Sequence, residues 1–270
     1  MSEAKTTLHA ILEKEKAAEI KVKTLGEFTV CRGVHLIDSK EWGRDRTVQL
    51  FQFLVSSRVR RAMHKEQIID RIWEDISSDT ADQTFKVALH GIHKVLEPQR
   101  KSRVEPKYIL RQGITYQLNT RLVWVDATAV EELISLANRT IGADDELSII
   151  AYQKALSMYD GIYLPNRSYE DWSSAERERI QLLAIGAMIS LGELMLHHNP
   201  MESIRLAQQA LLIDEVWEDG YRLQMQAYAA KGNRPMVIKT FKQCEKVLHE
   251  EFGIKPLPET RRIFETEQAR

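Results

Sequence analysis

The chain has 270 residues, 43% of them apolar and 29% charged, with a formal net charge of −1. That length fits one large domain or two ordinary ones, and that balance excludes wholesale disorder. It also excludes a polycation, although residues 40–120 hold fifteen Lys and Arg against ten Asp and Glu, a net of +5 that leaves −6 for the rest.

Residues 1–19 are rich in Ala, Glu, Lys and Leu with few apolar anchors, which predicts an N-terminal extension, helical or mobile. They lack the apolar stretch of a signal peptide, and no run in the chain approaches the ~20 apolar residues that span a bilayer. A soluble, cytoplasmic protein without membrane contact is expected. The two cysteines, Cys31 and Cys244, lie far apart in sequence, so reduced thiols are expected rather than a disulfide scaffold.

From Ile20 the pattern changes. IKVKTLGEFTVCRGVHL alternates apolar residues at Ile20/Val22 and Phe28/Val30 around Gly26 and Gly33, which predicts short strands and tight turns. RDRTVQLFQFLVSS places Val48, Phe51, Leu54 and Val55 at helical spacing, and HKEQIIDRIW predicts a short second helix with Ile68, Ile69, Ile72 and Trp73 inward. In TADQTFKVALHGIHKVLE a third helix is expected. Ala81, Phe85, Ala88, Leu89, Ile92, Val95 and Leu96 share one face; Gln83, Lys86, Val87, His90, His93, Lys94 and Glu97 share the other. Thr80 and Gln83 have capping-box spacing, and Asp79 is an equal candidate for the cap. A polar, basic connection, EPQRKSRVEP, leads to KYILRQGITYQLN, two short strands turning at Gln112-Gly113. Small sheet, three helices and closing hairpin is the order of a winged helix-turn-helix, assigned to residues 20–122.

Residues 123–270 read as an all-α domain, with helices expected at 126–139, 144–159, 169–197, 201–213, 216–231, 235–251 and 258–268. A shift of 34 residues aligns Ile189 with Leu223, Leu191 with Met225, Asn199 with Asn233, Ile204 with Ile238 and Ala207 with Phe241. That is the tetratricopeptide period, whose stacked helix pairs present a groove to peptides or partner helices. In RSYEDWSSAERERIQLL, Trp172 is expected in a core and the alternating charges after it on a solvated stripe. The fold class is therefore mainly α: an N-terminal α+β winged helix-turn-helix followed by a tetratricopeptide-like helical domain.

LGEF, HKEQIIDRIW, FKVALHGIHKVLE and YILRQGITYQL together resemble the winged-helix output domain of bacterial response regulators. EEFGIKPLPETRRIFE, after the tetratricopeptide-like helices, resembles the bacterial transcriptional activation domain. In this order, over residues 20–266, the two resemble the Streptomyces antibiotic regulatory protein (SARP) family. The resemblance implies a sequence-specific transcriptional activator that binds promoter direct repeats as a side-by-side homodimer and contacts RNA polymerase. With neither a receiver domain before the winged helix nor an ATPase after it, the chain resembles the minimal form of the family. Control is then expected through expression level, or through a protein or small-molecule ligand of the helical domain.

In a winged helix the third helix enters the major groove of double-stranded DNA. Lys86 and His90 are the candidate base contacts and Val87 an apolar one, while Gln83 either reads a base or closes the cap. Arg44, Arg46, Lys65, His93, Lys94, Arg100, Lys101, Arg103, Lys107 and Arg111 are candidate phosphate contacts. The alternative for the helix is an ordinary solvated face. The family commonly has arginines in a segment resembling SRLRR where this chain reads HGIHK, and His64 stands where a serine cap is usual. Lower or pH-dependent phosphate affinity is one implication, and an adaptor whose winged helix docks a protein is the alternative function. The loop EDISSD, residues 74–79, sits where related domains meet polymerase. His90/His93 and His197/His198 lack the Cys or carboxylate partners of a four-ligand metal site. No nucleotide-binding or hydrolase motif appears, so neither cofactor, metal nor enzymatic activity is expected.

Overall fold

The computed structural model describes residues 3–59, 62–74 and 77–269. They form two compact units, each discontinuous in sequence: residues 6–130 with 158–180, and residues 131–157 with 181–269 and 3–5.

The N-terminal stretch is helical as α1, Glu3–Ala17, and buries Ile11. β1 (Ile20–Lys23), β2 (Thr29–Arg32) and β3 (His35–Leu36) form an antiparallel meander. A strand not foreseen from the sequence, β7 (Val123–Val125), returns to pair in parallel with β1, Ile20 opposite Val123 and Val22 opposite Val125. The sheet order is β3-β2-β1-β7. Ile20, Val22, Val30, Val123 and Val125 are buried while their neighbours in sequence are less so, the period of two of a half-covered sheet.

α2 (Ser39–Trp42) starts at a capping box built by Asp38 and Glu41. α3 (Asp45–Ser56), β4 (Met63–His64), α4 (Lys65–Ile72), α5 (Ser78–Leu96) and the hairpin β5 (Ile109–Gln112)–β6 (Thr115–Leu118) complete a winged helix-turn-helix. β4 joins the hairpin in a second sheet of order β4-β6-β5. Phe85 of α5 sits edge-on to Tyr116 of β6, 5.0 Å between centroids, which fastens the third helix to the wing. His64 does cap α4: its Nδ1 accepts from the Glu66 N–H at 3.3 Å.

α3 is buried on more sides than its sequence suggests. Leu50, Phe51, Phe53, Leu54 and Val55 are all buried, and so are Gln49 and Gln52. Residues 158–180 supply the second covering. Tyr163 shares a 2.8 Å hydrogen bond with Ser56, Arg167 Nε donates to Gln52 Oε1 at 2.8 Å, and Gln49 donates to Glu170 at 3.0 Å. The Trp73 indole donates to Gln49 Oε1 at 2.7 Å, so α4 joins the same network. Arg167 also pairs with Asp45 at the start of α3, and Trp172 meets Phe53 edge-on at 5.6 Å.

The charged stripe after Trp172 is therefore not wholly solvated. Glu176 is buried beside Arg58, 2.8 Å away, and Arg177 donates to the carbonyls of Tyr163, Arg167 and Ser168. Gly26 of the LGEF motif marks the crossing of the two segments. Its φ is +79°, its N–H donates to the Ile162 carbonyl at 3.1 Å, and a Cβ there would lie 3.0 Å from the Asp160 carbonyl oxygen.

The other unit holds the helical repeat. After α6 (Asp126–Thr140), α7 (Asp145–Met158) and α8 (Asp171–Met195) come α9 (Pro200–Ile213), α10 (Glu218–Ala230), α11 (Arg234–Phe252) and α12 (Pro258–Ala269). The 34-residue shift has a structural counterpart. Asn199 and Asn233 are the N-caps of α9 and α11, each accepting from the backbone N–H three residues on, each with proline in the first turn. Tyr221, Cys244 and Leu248 form one core between α10 and α11; Met225, Val237 and Phe241 form the next. Both cysteines are free thiols, and burial pushes the Cys244 thiol up to about 12, which makes it inert packing. α12 caps the stack: Phe264 lies flat on Phe241 at 4.3 Å, and Glu218 accepts from the Leu257 N–H at 2.7 Å. Mainly α, with an α+β N-terminal region and an all-α repeat, is the observed fold class.

Candidate nucleic-acid interface

α5 begins at Ser78 after an N-cap at Ser77, so Thr80 lies inside the first turn and does not cap the helix. Thr80 instead receives a 3.0 Å hydrogen bond from the Ser77 hydroxyl, and Gln83 is left exposed on the outer face. The inner face buries Ala81, Phe85, Ala88, Ile92, Val95 and Leu96, with Leu89 half-buried. Gln83, Lys86, Val87, His90 and Lys94 are exposed. Of the loop EDISSD, Asp75 and Ile76 lie outside the described residues.

The outer face divides into two regions. At the N-terminal half, Gln83 and Val87 share a shallow pocket of about 110 Å³ with Arg44, Arg46 and Thr84. Arg46 donates to the Thr84 hydroxyl at 3.1 Å. Beside it, Lys86 and Lys65 converge on Asp82, with Lys86 Nζ 2.6 Å from one carboxylate oxygen and Lys65 on the other. Together the two lysines hold the Asp82 carboxyl at about 2, well below the ordinary range. Sequence reasoning does not single out Asp82, although its place four residues before Lys86 is the signal of a helical ion pair.

The other region lies at the far end of α5, roughly 20 Å along the axis from Gln83 at 1.5 Å per residue. There Arg100, Lys101 and Lys107 line a cavity of about 650 Å³ with Arg32, Glu19 and Glu97. Arg103, at φ 68°, and Lys94 are exposed nearby in sequence. At the wing, Arg111 donates to the Gly113 carbonyl at 2.8 Å and stands 5.8 Å from the centre of the Tyr116 ring.

The HGIHK segment has a packing reason. A Cβ at position 91 would meet the Thr47 side chain at 2.8 Å, so Gly91 is where α5 approaches α3. Thr47 is buried and β-branched and cannot easily turn away, which sets the clash against the ~1 kcal/mol that alanine gains in helix propensity. Position 91 thus faces the protein. His93 is half-buried, and burial, with Arg100 and His90 adding to it, lowers its pKa from 6.5 to about 4. At neutral pH it offers a phosphate a hydrogen bond and no charge.

That shift has a sign for stability. Below pH 6.5 the unfolded chain takes up a proton at His93 that the folded chain refuses until about pH 4. The stabilisation is complete above 6.5 and drains away as pH falls towards 4. Urea midpoints measured across this window should fall less steeply for His93→Gln than for the unsubstituted chain. Parallel curves for the two proteins contradict the assignment.

Among the described residues no three His, Cys, Asp or Glu side chains are grouped to hold a metal ion, and no helix is long and apolar enough to cross a membrane. The family model for the bacterial transcriptional activator domain matches residues 125–266. The chain belongs to that family. That match bears out the SARP-type resemblance of the sequence. The fold of this regulator is also that of Mycobacterium tuberculosis EmbR, solved in complex with a low-affinity phosphopeptide. The TM-score is 0.80 at 14% sequence identity, over 93% of this chain and 65% of that one. No curated protein matches the regulator by sequence.

Proposed function

We propose that this regulator is a sequence-specific DNA-binding activator of transcription, acting in the cytoplasm on promoter direct repeats as a side-by-side homodimer. Residues 20–122 hold the DNA, with the loop at 74–79 towards RNA polymerase, and residues 123–270 serve dimerisation, control by a protein or small-molecule ligand, or partner contact. The observation that carries the reading is the grouping of Arg44, Arg46, Gln83, Lys86 and Val87 around the exposed N-terminal half of α5. That half of a recognition helix is the one that meets base edges. Lys86 has the chemistry for guanine O6 and N7, Gln83 for adenine, Val87 for a thymine methyl, with His90 one turn further on. Arg44, Arg46 and Lys65 flank this face as phosphate contacts; Arg111 takes the same role at the wing.

Selection of bound duplexes from random DNA tests the reading, followed by gel shifts across salt concentrations. A selected motif bound with steeply salt-dependent affinity is expected. Lys86→Ala should weaken that motif by about 1–3 kcal/mol and relax preference at one base position. Unchanged preference and affinity in Lys86→Ala removes the face assigned here. Absence of any shift, with a protein partner recovered by pull-down, favours an adaptor.

A further inference from the structure

Asp82 stands among the residues assigned to DNA and carries the wrong charge for it. Its carboxylate joins two elements: Lys86 is four residues on along α5, and Lys65 is the first residue of α4. Each oxygen holds one ammonium group. Asp82 and Lys65 are partly exposed and Lys86 largely so, so a DNA backbone can compete for both lysines.

We propose that Asp82 is a specificity-determining residue, an internal counter-ion that keeps Lys65 and Lys86 from gripping DNA of arbitrary sequence. The inference rests on the DNA-binding reading above. A lysine that leaves Asp82 for a phosphate exchanges one oxyanion for another and gains little. A lysine that leaves it for guanine gains O6 and N7 acceptors that unrelated sequence does not place there. The carboxylate also faces the phosphates as a like charge until a donor is opposite it, and the N4 amine of cytosine is such a donor. In matched DNA the guanine acceptors and a cytosine donor opposite Asp82 offset part of the cost of opening the pair; other DNA offers neither. Specificity of this kind comes from penalising wrong partners rather than from strengthening the right one. The low pKa of Asp82 keeps it ionised throughout the neutral range, so the restraint does not depend on ambient pH.

The test compares the unsubstituted chain, Asp82→Asn and Asp70→Asn by fluorescence anisotropy on the selected duplex and on a scrambled duplex of equal composition. Asp70 is exposed on α4 and pairs with no lysine among the described residues, so its substitution removes the same charge without touching the network. Thermal unfolding confirms that each variant is folded. Asp82→Asn should bind scrambled DNA about tenfold more tightly, with a plot of log affinity against log salt steeper by about 0.9 for each additional phosphate neutralised. The selected duplex should gain less, so the ratio of the two affinities falls, while Asp70→Asn leaves that ratio unchanged. Two results overturn the inference: scrambled-DNA affinity and salt slope in Asp82→Asn equal to those of Asp70→Asn, or loss of affinity for the selected duplex alone, which makes Asp82 a positive contact. If neither the unsubstituted chain nor Asp82→Asn binds any duplex, the DNA-binding reading itself falls. If only Asp82→Asn binds, Asp82 excludes matched DNA as well as unmatched, and the specificity role falls too.

Discussion

Replacing Asp126 by alanine is expected to cost about 3–5 kcal/mol of folding free energy, a large part of what a typical domain has. Asp126 is 3% exposed. It accepts from the Thr24 N–H at 2.8 Å, the Thr24 hydroxyl at 2.6 Å, the Leu25 N–H at 3.0 Å and the Ala127 N–H at 2.7 Å. Thr24 follows the first strand and Asp126 follows the last, 102 residues later, beside the parallel pairing of β1 with β7. Alanine leaves those donors in a dry interior with no acceptor, and such groups bear the full penalty of their desolvation. Asp126→Asn keeps an acceptor oxygen and should lose less. Urea denaturation followed by circular dichroism measures both, and a change below about 1 kcal/mol in Asp126→Ala would show that water reaches these donors.

A chain ending at Val130 is expected to lose cooperative folding, because residues 158–180 cover one face of α3. Without them Gln49, Gln52, Ser56 and Arg58 lose Glu170, Arg167, Tyr163 and Glu176. Phe53 loses Trp172, and Leu25 loses its bridge to Tyr163. Tyr163 alone is almost fully buried, and removal of a large core aromatic costs about 3–5 kcal/mol. Added to the lost hydrogen bonds, that is comparable to the ~5–15 kcal/mol that holds a whole domain. Arg167→Ala in the complete chain should give a milder version, about 1.5–3 kcal/mol for hydrogen bonds to a buried charge. Thermal unfolding distinguishes the outcomes. A truncated chain that melts as sharply, and at the same temperature, as the complete one shows the winged helix to be self-sufficient.

Much of this architecture is local and therefore visible in the order of residues. The outer and inner faces of α5, the turn at Gly113, and the repeat that matches Asn199 with Asn233 follow from periodicity and turn chemistry. The charged residues of the interface were readable in the same way, because Arg, Lys and His announce themselves. What each of them touches was not. Gly91 reads as a missing arginine until Thr47 is placed against it, and His93 reads as a cation until burial makes it neutral. Asp82 reads as helix surface until Lys65 arrives from another helix.

The sequence by itself determined that this is a winged helix followed by stacked helical hairpins, and which face of the third helix is free. Those features rest on interactions between residues a turn or a strand apart, which repeat with a period that can be counted. Only the tertiary structure decided that β7 closes the first sheet, that residues 158–180 belong with α3, and that Asp82 holds two lysines. Each joins groups distant along the chain, through single hydrogen bonds and ion pairs that leave no periodic trace, and only folding brings them within reach.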